Sequence, residues 1–318
     1  MAGESTSFTH DPVMIEEVGG LLGEVPPGIV VDATVGGGGH AEALLDARPD
    51  VSVLGVDQDA EALAAAAARL ERFGARVTLR RARFDHLGEV VREQGHDEVA
   101  GVLFDLGVSS PQLDRAERGF SYRSAGPLDM RMDPDAPRTA DDVVNRYPEA
   151  ELARVLRRYG DERYAGRIAA AVVAARPVHD TLELAGIVRD AIPAPARRRG
   201  GHPATRSFQA IRIEVNAELE ILAGSIDGAI DLLMPAGRIA VLAYHSGEDR
   251  IVKDRLRQAA TGGCTCPPGL PCTCGAVPTV RLLKRGAWKP STDEVAANPR
   301  AGSARLRAAE KLAPEVAA

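Results

Sequence analysis

The chain has 318 residues, 45% hydrophobic and 26% charged, the composition of a globular protein with one large domain or one domain carrying a second inside it. Its first residues, MAGESTSFTHDP, hold neither a basic nor an apolar region, and no charge-free stretch could span a bilayer, so secretory and membrane-spanning classes are excluded and a cytoplasmic location without a membrane partner is expected. The net charge of −6 hides an uneven distribution: Arg118 to Arg212 hold 17 arginines, no lysine and 12 acids, a balance of +5 that leaves −11 on the rest.

In chain order, Gly28 to Ala33 (GIVVDA) reads as a buried strand, followed by the glycine run Gly36 to Gly39 and a helix from His40. Val51 to Val56 is a second apolar run, ending at Asp57. The alanine-rich EALAAAAARLERF segment predicts a strong helix, since alanine loses no side-chain entropy on entering one. Val77 to Arg81 and Val99 to Phe104 read as third and fourth strands. Strands alternating with helices predict a parallel sheet covered on both faces. From about Arg115 to Pro203 strand patterns vanish and helical stretches follow one another, an inserted helical domain (115–203) within an α/β domain made of residues 1–114 and 204–318. A long helical pattern from Phe208 to Met234 returns to the main fold, followed by strand Arg238 to Ala243 and a last short strand at Val280 to Leu283. Residues from about Asn298 onward read as a polar, basic and partly mobile tail.

The glycine run follows the first strand, where a nucleotide-type cofactor binds in a doubly wound fold and where glycine lets the backbone approach a ligand. Alone it is a weak signal; Gly36-x-Gly38-x-x-Ala41 even fits the dinucleotide fingerprint, and a ligand-free turn is the plain alternative. Asp32, Asp57 and Asp105 end three successive apolar strands. Each could cap the next element, but together with the glycines they point to a site. Asp57 is placed to accept hydrogen bonds from ribose hydroxyls. A sulfonium cofactor, carrying no phosphate, suits a loop without basic residues; a dinucleotide suits it too.

Several blocks are familiar. Phe8-Thr-His-Asp-Pro-Val, Asp32-Ala-Thr-Val-Gly-Gly-Gly-Gly-His40, Asp105-Leu-Gly-Val-Ser-Ser-Pro-Gln-Leu-Asp114 and Arg118-Gly-Phe-Ser-Tyr resemble the bacterial 16S rRNA cytosine-N4 methyltransferase family, RsmH or MraW. So do Gly126-Pro-Leu-Asp-Met-Arg-Met-Asp133, His202-Pro-Ala-Thr-Arg-Ser-Phe-Gln-Ala-Ile-Arg212, His245-Ser-Gly-Glu-Asp-Arg250 and Asn298-Pro-Arg-Ala. The resemblance runs from about residue 8 to 312. It implies a class I, Rossmann-like S-adenosyl-L-methionine-dependent methyltransferase with an inserted all-helical domain, acting on a cytidine in the decoding region of 16S rRNA in the small ribosomal subunit. It implies cofactor contacts at Gly38, Gly39, His40, Asp57, Phe84, Asp105 and Gln112. Where the family has serine-phenylalanine before the late histidine, this chain has Ala243-Tyr244. The residues taken alone also admit a nicotinamide-dependent oxidoreductase or a non-catalytic RNA-binding assembly factor.

An exocyclic cytosine amine is a poor nucleophile, so transfer to it needs alignment with the methyl group and an acceptor for its proton. Asp105, or carbonyls of Leu106 to Val108, are the candidates; the chain lacks the Asp/Asn-Pro-Pro-aromatic motif of many amine methyltransferases. Phe120, Tyr122 and Phe208 are candidates to receive an unstacked base, with ordinary core packing as the alternative for each. His245 either orients substrate or bonds a neighbouring strand. Arg197, Arg198 and Arg199 are candidate phosphate contacts, or an exposed turn. All four cysteines, Cys264, Cys266, Cys272 and Cys274, fall in CTCPPGLPCTC, where they could close a structural zinc site or remain surface thiols.

Overall fold

A computed structural model of the chain describes residues 12–197, 201–267 and 273–313. The chain divides into two units, one formed by Met1–Gly107 with Ile221–Ala318, the other by Val108–Glu220. The first unit is built on a seven-stranded sheet: β1 (Gly28–Asp32), β2 (Val51–Asp57), β3 (Val77–Arg81), β4 (Val99–Asp105), β5 (Leu233–Ala243), β6 (Val280–Leu282) and β7 (Arg305–Lys311). Their order is β3-β2-β1-β4-β5-β7-β6, with the first five parallel and β7 antiparallel to both β5 and β6. This is a doubly wound, Rossmann-like sheet whose order reverses between β1 and β4, the switch point where such folds bind ligands.

The central strands are nearly continuous apolar runs because both faces are covered. Every residue of β4 but Asp105 is buried, as are Val53 to Val56 of β2. Register then places the acids. Asp32 pairs with Gly55 on one side and Leu103 on the other, so Asp57 and Asp105 stand two residues further along their strands. Side chains repeat every two residues in a strand, and all three carboxylates therefore project from one face at the carboxyl end.

The second unit is all-helical. Helices Glu149–Gly160, Ala165–Ala174, Thr181–Ala191 and Thr205–Asn216 enclose a core that includes Leu152, Leu156, Ile168, Val188 and Ile211. Buried Asn216 accepts from the Met132 backbone N–H and donates to the Met130 carbonyl, tying the Gly126–Asp133 block to helix Thr205–Asn216. No helix among the described residues is long and apolar enough to cross a membrane.

Two expectations are corrected. The helical unit extends beyond 115–203 at both ends, because Phe208, Ile211 and Val215 of helix Thr205–Asn216 pack into its core. The single helix expected from Phe208 to Met234 is two, broken at Ala217, whose left-handed backbone (φ 53°) ends the first before Glu218–Leu232 begins. Within the stretch after Asn298, Arg305–Lys311 forms β7, with Leu306, Ala308 and Ala309 buried in the sheet.

Candidate functional site

The site of the first unit grows from the carboxyl ends of β1, β2, β4 and β5. After β1 the chain turns through the glycine run into helix Gly39–Ala47. Gly38 holds φ 81° as the helix N-cap, and a Cβ on Gly39 would stand 2.4 Å from Pro12 Cγ, so neither position tolerates a side chain. The loop is pinned from two sides. Asp57 Oδ2 accepts from the Gly36 N–H at 2.9 Å, and the Thr34 hydroxyl oxygen accepts from the Asp105 N–H at 2.7 Å. Asp57 Oδ1 accepts from the Asp59 N–H at 2.9 Å, fixing the start of the next helix, Ala60–Leu70, which Asp59 caps.

Electrostatics follow from packing three acids together. Burial pushes Asp32 up to about 7; His40 and the Thr34 N–H oppose this, while Asp105 and Asp57 reinforce it. Burial likewise lifts Asp57 to about 6, against the N–H groups of Asp59 and Gly36. A cation or a ring of hydroxyl donors brought here relieves this repulsion, whereas a pyrophosphate would add to it. His40 is 8% exposed, and neither ring nitrogen has a hydrogen-bond partner among the described residues. Its Nε2 lies 3.6 Å from Asp105 Oδ2. A buried imidazole left in this state is set up for a ligand, since an unmade buried hydrogen bond is costly.

Asp105 is also held from the other side. Tyr244, just beyond β5, donates its hydroxyl to Asp105 Oδ1 at 2.7 Å, and burial beside that carboxylate pushes the Tyr244 phenol well above its ordinary range. The tyrosine that replaces the phenylalanine of the family pattern thus supplies a hydrogen bond a phenylalanine cannot make. Phe84 follows β3 and meets Phe104 edge-on, ring centroids 5.7 Å apart. The structure brings Gly38, Gly39, His40, Asp57 and Asp105 together at the carboxyl ends of β1, β2 and β4. It does not give Asp57 a role at a ligand alone, because both its oxygens hold backbone.

The remaining residues are held by local contacts. Gln112 belongs to the second unit, where it forms a capping box with Ser109. His245 is the N-cap of helix Ser246–Thr261: Nδ1 accepts from the N–H groups of Gly247 and Glu248, and Nε2 lies 3.2 Å from Glu248 Oε1. Phe120 and Phe208 are 5% and 4% exposed, core residues of the helical unit with no face to offer a base. Tyr122 packs edge-on against Phe208, and the exposed His202 ring stacks flat upon it at 4.4 Å, 10° from parallel. Arg123 lies over the Tyr122 ring as well. Arg197 Nε donates to the Ile192 carbonyl at 2.6 Å and Nη2 to that of Asp190, so this arginine closes the end of helix Thr181–Ala191. Arg198, Arg199 and Cys272 lie outside the described residues. Sequence reasoning did not foresee the Tyr244–Asp105 bond or the His202–Tyr122 stack, although Tyr244 marked a departure from the family pattern and His202 opened a matched block.

Residues 7–312 match the model of the MraW methylase family. A protein of Acidothermus cellulolyticus called ribosomal RNA small subunit methyltransferase H is 56% identical over 313 residues, covering 96% of this chain and 94% of its own length. Proteins of the same name from Thermobifida fusca and Heliobacterium modesticaldum are 54% and 50% identical, across 96% of this chain and 94% and 99% of theirs.

Proposed function

The chain belongs to the MraW methylase family, and from that premise we propose that it methylates the exocyclic N4 amine of a cytidine in the decoding region of 16S ribosomal RNA. Its activity is that of an S-adenosylmethionine-dependent methyltransferase of small-subunit ribosomal RNA. The observation that best supports the reading is the set of strand ends with its pinned glycine loop, three converging acids and a His40 imidazole without a hydrogen-bond partner among the described residues. These residues fit a cationic, hydroxyl-bearing cofactor: Gly38 and Gly39 let the loop turn tightly against Leu70 and Pro12, and Asp57 retains lone pairs for ribose hydroxyls. The anionic ring disfavours a nicotinamide dinucleotide.

S-adenosylmethionine supplies an electrophilic methyl on sulfur. The chain's own task is to orient the amine and take its proton. Asp105, fixed between Tyr244 and His40, accepts a hydrogen bond from the amine and receives the proton as the new N–C bond forms. Its two neighbours act as positioning residues, limiting the carboxylate's freedom to turn. In the helical unit, the Tyr122–His202 stack offers an exposed ring face for an unpaired base, flanked by the Arg123 guanidinium. Incubation with small-subunit particles and labelled cofactor, followed by nucleoside analysis, tests the reading. N4-methylcytidine is expected; label on another base or another cytosine atom would overturn the N4 assignment.

A further inference from the structure

Helix Ser246–Thr261 ends at Gly262, and the chain reaches β6 through a long loop that carries every cysteine of the protein. The two arms of this loop cross at one point. A Cβ on Gly262 would stand 2.5 Å from the backbone of Val277, and the Thr279 N–H donates to the Ala259 carbonyl at 2.9 Å. Left-handed glycines flank the thiols on both sides, Gly262 and Gly263 (φ 60° and 72°) before Cys264, and Gly275 (φ 71°) after Cys274. The outgoing and returning arms therefore turn their cysteines toward each other.

Sγ of Cys274 lies 3.6 Å from Sγ of Cys264, and the sulfurs of Cys264, Cys266 and Cys274 all fall within 4.8 Å of one another. A tetrahedral zinc site with Zn–S of about 2.3 Å requires sulfurs about 3.8 Å apart, while a disulfide requires about 2.05 Å. The observed spacing matches the first and is far from the second. Val277, on the returning arm, is 65% exposed.

We propose that Cys264, Cys266 and Cys274 bind one zinc ion that cross-links the two arms of this loop, a structural site separate from the methyl-transfer crevice. Binding displaces the thiol protons to solvent as the three sulfurs donate lone pairs to the ion, and nothing is oxidised. One further donor completes the tetrahedron.

The test uses the full-length protein, reduced and stripped of metal with a chelator. Titration with zinc against a chromophoric competitor should give one ion per chain, bound more tightly as pH rises because protons leave. Cobalt in its place should give the intense visible absorption of a tetrahedral thiolate complex. The Cys264→Ser/Cys274→Ser variant should lose the ion while keeping S-adenosylmethionine affinity, which separates failure here from failure of the methyltransferase reading. Zinc uptake by the unsubstituted protein no greater than that of the serine variant would overturn the proposal. So would a cobalt spectrum lacking thiolate bands, or recovery of a Cys264–Cys274 disulfide from zinc-free native protein; these readouts on the unsubstituted chain stand even if the variant misfolds.

Discussion

Asp57→Asn separates two roles that one carboxylate performs. Burial lifts Asp57 from 3.8 to about 6. At roughly 1.4 kcal/mol per unit, keeping it ionised costs the folded protein about 3 kcal/mol at neutral pH. The folded pKa lies above the unfolded one, so the folded state binds more protons between them. Its contribution to stability is greatest below about pH 4, falls as pH rises through about 6, and is flat beyond. Asparagine has no such dependence. It leaves either the Gly36 or the Asp59 N–H facing an amide donor, a cost of about 1–3 kcal/mol at every pH. Denaturant unfolding should therefore show the variant gaining about 3 kcal/mol on wild type between about pH 4 and about pH 7.5, ending within roughly 2 kcal/mol of it. Affinity for S-adenosylmethionine should meanwhile fall roughly ten- to hundredfold by calorimetry, from loss of charge-assisted bonds at the ribose. Parallel stability profiles would refute the burial argument. A flattened profile with unchanged affinity would refute the ribose assignment.

Asp105→Asn should lower the single-turnover methyl-transfer rate at saturating cofactor by about 10²–10⁴; a rate above a tenth of wild type would remove Asp105 from proton transfer. Tyr244→Phe should reduce that rate by up to about tenfold through loss of the hydroxyl bond to Asp105, leaving KM for RNA unchanged. Cofactor affinity should fall as pH drops through about 7 and then 6, because Asp32 and Asp57 must ionise to receive it; calorimetry in buffers of different ionisation heat should report proton release on binding near pH 7. His202→Ala should weaken RNA binding by about 1–3 kcal/mol without altering its salt dependence, since stacking carries no charge. Arg123→Ala should instead make the salt slope shallower, by about 0.7–0.9 for a phosphate that the arginine no longer neutralises.

The parallel half of the sheet was legible because buried strands are written as unbroken apolar runs: the patterns at Gly28, Val51, Val77 and Val99 start where β1 to β4 start. β7 was not, because RLRAAEK mixes charges with small residues and its burial comes from neighbours on both sides. The break at Ala217 was hidden for another reason, since neither glycine nor proline marks it. Within the site, acids at strand ends were visible as a pattern, but their division of labour was not. Asp57's hold on the Gly36 N–H depends on register between strands that no local pattern encodes. His245 left two readings open, orienting substrate or bonding a neighbouring strand, because histidine is an uncommon helix cap; only the Gly247 and Glu248 N–H groups reveal its work.

The position of β7 has a bearing on how the molecule comes into being during synthesis. The helical unit is one unbroken stretch, so it can mature as soon as it leaves the ribosome. The sheet cannot. β5 pairs with β4 on one side, but its other edge stays open until Arg305–Lys311 arrives, after β6 has already been made and left waiting for the same partner. For that interval the nascent enzyme carries a bare, apolar strand edge, the kind of surface that invites another chain. A frameshift or stop just upstream of Arg305 would spare every acid and glycine of the crevice and still release a protein prone to stick to its neighbours.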